Sequence, residues 1–253
     1  MAKRETLDSE IAEAYALFDQ FEAEVDRVGE LANSDISLAA AGEAVLDEAL
    51  AEDPSISRCF NAILNGVEYQ DAASINEISA WQYSMDDEFE NVDEMDFLPS
   101  GGYMNFMELV SSSLNIELEK KVVSIDYSGD SIYIECADGS IYVCDEVIAS
   151  FPLGVLKAES VEFIPALPAS YQAAIDRLGF GNMEKVVISF EENFWGSTEW
   201  LLLASDVRSK FTYSYNFSGN GKNILCTFMT DEFARLMKDK TDQEVVAELL
   251  AVF

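Results

Sequence analysis

Histidine, the side chain that most often transfers protons in enzymes, is absent from all 253 residues. Its absence excludes Ser-His-Asp and Cys-His catalysis within this chain, and also zinc sites that use imidazole. None of the four cysteines, Cys59, Cys136, Cys144 and Cys226, forms a C-x-x-C pair. We therefore expect no metal knuckle or redox dithiol. We interpret the cysteines as reduced core residues of an intracellular protein, with the cytoplasm as the favoured compartment.

Two short runs look like ligand sites and are better explained otherwise. The run from Gly219 to Lys222 lacks the spacing of a phosphate loop and the Ser or Thr after its lysine, so it predicts a turn. The acidic stretch from Asp86 to Asp96 lacks the alternation and the sixth-position glycine of a calcium loop. We interpret this stretch as a solvated connection and expect no metal site in the chain.

The formal charge is −33, from 48 acidic and 15 basic residues. Such a field repels a nucleic-acid backbone, so we expect no direct nucleic-acid binding. Two interpretations of the charge stay open: steering of a small cationic substrate, or an acidic surface that serves solubility. No apolar stretch is long enough to span a membrane, and no apolar region follows Met1 to Thr6 as in a signal peptide.

The first part of the chain has the apolar spacing of helices. Steps of three and four from Ile11 to Val28 predict one helix that Gly29 ends. Ser37 is a suitable cap for a second helix through Leu50, and Asp53-Pro54 for a third. A capping box at Thr241 begins the last helix, which stops on an apolar run at Phe253 and leads us to expect a truncated chain.

The second part of the chain changes to the period of strands. Asp138-Gly139 predicts a two-residue hairpin turn, which would place Cys136 opposite Ile141 and Cys144 on the other face of the sheet. The run from Val147 to Phe151 has no alternation, which predicts a strand buried on both faces. Later runs predict a strand from Lys185 to Phe190 and a hairpin whose strands start near Phe211 and Ile224. The chain therefore has a mixed α/β (α+β) pattern.

Three runs in this order resemble the flavin-containing amine oxidase family, which includes polyamine oxidases and flavin-dependent histone lysine demethylases. They are Leu98-Pro99-Ser100-Gly101-Gly102-Tyr103 with the strand that ends at Tyr127, Ser150-Phe151-Pro152-Leu153-Gly154-Val155-Leu156-Lys157 with the run from Phe163 to Pro168, and Leu178-Gly179-Phe180-Gly181-Asn182-Met183-Glu184-Lys185-Val186-Val187 with Phe194-Trp195.

The resemblance implies an FAD-binding domain and a substrate domain that are interleaved along the chain. Residues 1–92 correspond to the first, helical part of the substrate domain, residues 93–181 to the middle segment of the FAD-binding domain, and residues 182–253 to a truncated second part of the substrate domain. The Gly-x-Gly-x-x-Gly turn that holds the FAD pyrophosphate is absent from the sequence. We therefore expect this chain alone to hold FAD poorly and to be inactive.

The resemblance also implies roles for individual residues. Lys185 matches the lysine that holds a water near N5 of the flavin, which makes it the candidate catalytic residue. Val122 matches a valine whose backbone contacts the adenine end of FAD. Ser150, Pro152 and Leu153 match residues that line the flavin ring. Considered alone, Lys185 would be a solvated lysine at the start of a strand, and the others ordinary strand and turn residues.

The reaction that the resemblance implies is oxidation of the C–N bond of a polyamine or a related amine. A hydride passes to the flavin, water hydrolyses the imine, and molecular oxygen reoxidises the flavin to give hydrogen peroxide. Two other functions stay open. One is a non-catalytic remnant that acts as a binding module, and the other is a related flavoenzyme such as an amino acid oxidase.

Overall fold

The computed structural model describes residues 2–51, 53–83, 99, 101–204, 210–211, 213–219 and 221–253. The acidic stretch from Asp86 to Asp96, which we interpret as a connection, lies outside these residues. The chain forms two compact units: Met1–Asn91 with Gly181–Phe253, and Val92–Phe180. Helices and strands occur in both units, so the predicted mixed α/β class is confirmed.

The first unit begins with helices that share one apolar core. Their bounds are α1 Ala2–Leu31, α2 Leu38–Ala41, α3 Glu43–Ala51, α4 Pro54–Asp71 and α5 Ala80–Tyr83. The fully buried side chains of this core include those of Phe21, Val25, Phe60 and Leu64. They recur at helical spacing on α1 and α4, because each helix places residues three or four apart on one face.

Caps and glycines explain where these helices begin and end. The Ser37 side chain accepts a hydrogen bond from the Ala40 amide, and the Asp53 side chain accepts one from Ser55. The predicted single helix through Leu50 is interrupted at Gly42, where a Cβ would lie 2.2 Å from the Phe21 ring. Gly29 does not end α1, which continues to Leu31.

The remainder of the first unit is an antiparallel sheet with two helices. The strands are β5 Met183–Phe190, β6 Trp200–Leu202, β7 Tyr213–Asn216 and β8 Asn223–Thr230, in the order β5-β8-β7-β6, and they are followed by α9 Asp231–Met237 and α10 Asp242–Leu250. One face of the sheet packs on α9 and α10 through buried residues such as Phe211, Met229 and Leu249. The predicted hairpin of β7 and β8 is confirmed.

The second unit contains a smaller sheet. Its elements are α6 Tyr103–Ser111, β1 Val122–Asp126, β2 Ile132–Cys136, β3 Ile141–Cys144, α7 Leu153–Lys157, β4 Glu162–Ile164 and α8 Ala169–Arg177. The strand order is β3-β2-β1-β4, and only β1 and β4 are parallel. No residue of α6 is buried, although the helix carries apolar side chains such as Phe106 and Leu109.

The register of the β2–β3 hairpin differs from the prediction by one residue. The Cys136 amide donates to the Ser140 carbonyl, and Ile132 pairs with Cys144. The turn therefore has three residues, with Gly139 at φ +83°, a conformation that glycine adopts without strain. The prediction that Cys144 lies on the opposite face from Cys136 is wrong, because a shift of one residue moves every side chain to the other face.

The predicted buried strand from Val147 to Phe151 is also wrong. Residues 147–151 have no ladder partner among the described residues, and Ile148 is 96% exposed. A segment becomes a strand only when a neighbouring backbone pairs with it, and the described chain provides none here. The apolar composition of this segment predicted burial, but composition alone does not specify which residues would cover it.

Candidate functional site

Lys185 is the third residue of β5, an edge strand of the four described strands of its sheet. It lies opposite Phe228 of β8 in the antiparallel register, so both side chains project from the same face. The Lys185 Nζ lies 6.0 Å from the centroid of the Phe228 ring, and the side chain is exposed. This distance is at the outer limit of a cation–π contact.

An aromatic wall extends from Phe228 across the same face of the sheet. We define the wall by the rings of Tyr69, Tyr213, Tyr215 and Phe228. Tyr69, from α4, lies at its centre, with its ring centroid 5.2 Å from that of Phe228 and 5.1 Å from that of Tyr213. Centroids this close are typical of attractive aromatic pairs. The wall therefore connects helix α4 to the strand that lies opposite Lys185.

The sequence-based prediction of the site missed the aromatic wall. The alternation of Tyr213, Ser214 and Tyr215 in a predicted hairpin does place both tyrosines on one face. That signal was available in the sequence. Nothing in the sequence indicates that Tyr69, which follows the apolar face of α4, meets them, because this contact is set by how the helix packs on the sheet.

Beside the wall lies an open cavity of about 500 Å³ within the first unit. Rings from α1, α4 and the sheet surround it, among them Tyr15, Tyr69, Trp200, Tyr213 and Tyr215. Glu22 supplies a carboxylate to the lining, and its Oε1 accepts a hydrogen bond of 2.9 Å from the Tyr83 hydroxyl. Rings with one carboxylate form a lining that suits an organic cation with apolar groups.

Two tyrosines of the wall, Tyr69 and Tyr213, are held in the neutral form. Burial raises the pKa of Tyr69, and a hydrogen bond with Tyr215 adds to this effect. Burial likewise raises the pKa of Tyr213. A neutral phenol presents both its ring face and a hydroxyl to a ligand. These residues can therefore orient an amine but do not serve as bases at neutral pH.

Backbone hydrogen bonds fix the beginning of β5. The Asn182 amide donates to the carbonyl of Ala72, just after α4, at 2.9 Å. The Asn182 carbonyl accepts a hydrogen bond of 2.8 Å from the Asp231 amide at the start of α9. The residue just before β5 is thus tied to two helices, and this connection sets where Lys185 lies, three residues later.

The four residues expected to contact FAD lie in the second unit. Val122 is half-buried at the start of β1, and the parallel ladder with β4 begins only at Ser124. The backbone edge of Val122 that faces away from β2 is therefore not part of the ladder with β4. Ser150 and Pro152 are exposed, whereas Leu153 lines an apolar cavity of about 540 Å³. The structure thus keeps three of the four together where the chain enters α7, and Val122 in a strand.

These residues fit contacts with two ends of FAD. The exposed hydroxyl and apolar side chains of residues 150–153 suit a flat apolar ring with a polar edge. The backbone edge of Val122 that the ladder with β4 leaves free suits a backbone contact with adenine. The sequence has no Gly-x-Gly-x-x-Gly turn for the pyrophosphate between these ends. Of the parts of an FAD site, this sequence therefore lacks the pyrophosphate turn.

The described residues offer neither a metal-binding cluster nor a membrane-spanning helix. Within them, no cluster of three or more cysteine, aspartate or glutamate side chains could hold a metal ion. The described helices include none with the length and apolar character needed to cross a membrane. All four cysteines are free thiols.

Comparison with known proteins agrees with the geometry. Residues 15–253 match the family model of flavin-containing amine oxidoreductases. A rice protein (Oryza sativa subsp. japonica), lysine-specific histone demethylase 1 homolog 3, is 34% identical over 165 residues, covering 64% of this chain and 20% of that protein. Homolog 1 from Arabidopsis thaliana is 29% identical, covering 90% of this chain and 28% of that protein.

A solved structure of putrescine oxidase bound to putrescine has a similar fold. Its TM-score is 0.65 at 16% identity, and the match covers 98% of this chain and 57% of that one. This chain thus spans little more than half of the solved structure and between 20% and 28% of these curated relatives. Since the family model covers nearly all of its residues, the chain belongs to the family of flavin-containing amine oxidoreductases, for which FAD is the cofactor.

Proposed function

We propose that this chain is part of an FAD-dependent oxidase that acts on the C–N bond of a polyamine or a related aliphatic amine. The observation that carries the proposal is the contact series from Lys185 to Phe228 to Tyr69 beside a ring-lined cavity. In this proposal the first unit is the substrate domain, and the second is the middle of the FAD-binding domain.

The cavity gives the chain a means of binding the amine. The aromatic wall packs against the alkyl groups of the substrate, and the ring faces attract a cationic nitrogen. The negatively charged carboxylate of Glu22, in the lining of the same cavity, attracts the positively charged ammonium group. The neutral phenols of Tyr69 and Tyr213 add hydroxyls that orient the nitrogen without taking its proton.

Lys185 has a separate part in the proposal. Its ammonium group is exposed at the edge of the wall, where it can donate a hydrogen bond to a water molecule and hold it. Val122, Ser150, Pro152 and Leu153 would hold the adenine and ring ends of FAD. FAD, when bound, accepts two electrons from the carbon next to nitrogen and delivers them to molecular oxygen as hydrogen peroxide.

The comparisons support an amine as the substrate, and an experiment must identify which amine it is. The solved neighbour binds putrescine, whereas the curated relatives are called histone demethylases. We therefore propose to measure flavin bleaching by stopped flow in the full-length gene product. Four substrates separate the possibilities: spermine, a monoamine, an amino acid and a peptide with methylated lysine. Bleaching by the amino acid alone would make the protein an amino acid oxidase.

A non-catalytic module that binds amines is the second candidate. Absence of a complete FAD site from the full-length gene product would favour it. If the full-length product binds amines but retains no FAD after purification and addition of free FAD, the protein is an amine-binding module and the oxidase proposal is wrong. Retention of FAD together with bleaching by an amine establishes the oxidase.

A further inference from the structure

Gly66 occupies an unusual position for a glycine, inside the 18-residue helix α4. Glycine is the poorest helix former after proline, so a glycine at this point weakens the helix unless packing requires it. Gly66 lines the same cavity as Tyr213. The shape of the cavity is therefore a candidate reason for a glycine at position 66.

The packing around Gly66 shows what a side chain at this position would contact. A Cβ placed on Gly66 would lie 3.0 Å from the hydroxyl oxygen of Tyr213, whereas the nearest ring carbons would be at 3.6 and 3.7 Å. Only the hydroxyl is too close, since 3.6 Å is an ordinary contact. The phenol of Tyr213 thus rests in a recess that exists because Gly66 has no side chain.

We propose that Gly66 determines which amines the cavity accepts, by seating Tyr213 against α4 and so keeping the cavity wide enough for ammonium ions with bulky N-alkyl groups. This inference rests on the proposed function, in which the cavity holds the amine. A side chain at position 66 would push the Tyr213 ring towards the cavity, and the added methyl group would itself occupy space there. Both effects act more strongly on a large ammonium ion than on a small one.

The test uses the 253-residue chain and two probes, tetramethylammonium and tetraethylammonium chloride. Binding is followed by quenching of tryptophan fluorescence, because Trp200 lines the cavity. A Trp200→Phe variant assigns the signal to that residue. We expect Gly66→Ala to weaken tetraethylammonium binding by about tenfold or more, the effect of one methylene-sized change in a pocket. We expect a smaller effect on tetramethylammonium.

Two further variants separate the proposed role from a general effect on folding. Adding Tyr213→Phe to Gly66→Ala removes the 3.0 Å contact and should restore much of the tetraethylammonium affinity. Gly29→Ala is the matched control, because it also replaces a glycine within a helix, while nothing lies closer to its Cβ than Ala80, at 3.8 Å. We expect unchanged affinities for both ions in this control.

Each outcome has a definite meaning. Equal affinities of wild type and Gly66→Ala for both ions, or a wild type that binds neither ion, would overturn the role of Gly66. If Gly66→Ala does not fold, the double variant is compared with Tyr213→Phe alone, and a tetraethylammonium affinity that stays about tenfold below that of Tyr213→Phe would overturn the role of the Tyr213 contact. The proposed oxidase fails separately, if no amine bleaches the flavin while the dependence on Gly66 remains.

Discussion

A methyl group placed on Gly181 would lie 2.4 Å from the carbonyl oxygen of Ala72. Ala72 follows α4 in the left-handed conformation, at φ 52°, and the same carbonyl accepts the hydrogen bond from Asn182. The backbone before β5 can approach the end of α4 only because residue 181 has no side chain. This explains the second glycine of the Gly179-Phe180-Gly181 run in physical terms.

Replacing Gly181 by alanine is therefore expected to destabilise the protein. The clash involves backbone atoms, which cannot rotate away as a flexible side chain can. We expect Gly181→Ala to lower the free energy of unfolding by about 3 kcal/mol, at the upper end of overpacking effects. Urea denaturation followed by circular dichroism measures the change. Gly179→Ala is the control, since nothing lies within 4 Å of its added Cβ, and it should change stability by no more than about 0.5 kcal/mol. Equal losses in the two variants would contradict the role of the Ala72 contact.

Lys185→Met is expected to impair catalysis in the full-length gene product without unfolding it. Methionine keeps the length of the side chain and removes the donor that would hold water. We expect either amine-dependent flavin reduction or its reoxidation by oxygen to slow by roughly a hundredfold, the scale of a positioned proton-transfer group. Stopped flow measures the two half-reactions separately. Lys222→Met, at an exposed lysine of the β7–β8 hairpin, should leave both rates unchanged. Wild-type rates in both half-reactions of Lys185→Met would exclude this role.

Tyr69 gives the protein a predicted sensitivity to alkaline pH. The folded protein holds this phenol neutral, because burial and the hydrogen bond with Tyr215 raise the pKa of Tyr69 above its ordinary value of 10.0. The resulting stability is fully present below pH 10 and is lost as the pH rises through the higher pKa of the folded state. Urea denaturation of the wild type should thus show a falling free energy of unfolding above about pH 10, and Tyr69→Phe should reduce the slope. An unchanged slope would show that Tyr69 does not titrate in this way.

The capping box of α10 should make a measurable contribution to the free energy of unfolding. The Thr241 hydroxyl accepts a hydrogen bond from the Glu244 amide, and the Glu244 carboxylate accepts one from the Thr241 amide. Thr241→Ala removes the first of these and should cost about 1 kcal/mol in urea denaturation. Thr198→Ala, at an exposed threonine whose backbone carbonyl rather than its side chain bonds Asn216, is the control. A loss no larger than that of the control would mean that the cap does not contribute.

The features that the sequence predicted well depend on local rules. The caps at Ser37, Asp53 and Thr241 and the β7–β8 hairpin follow from side chains that act within a few residues. The register of the β2–β3 hairpin was missed, because two- and three-residue turns both suit Asp138-Gly139. The aromatic wall was missed for another reason: it joins α4 to β8, and such long-range packing leaves no periodic signal in either segment.

The interleaving of the two units determines the order in which contacts become possible during translation. Tyr69 meets Phe228 only after the ribosome has made the whole intervening segment Val92–Phe180, which belongs to the other unit. Until β8 emerges, α4 has no sheet to receive its aromatic side chain, so the nascent chain must carry an uncovered ring. Contacts between distant segments form slowly because a long loop must close first. A pause in synthesis before residue 223 would therefore prolong exposure of the surface that later lines the cavity beside the aromatic wall. This is the stage at which a chaperone would be most useful to the protein.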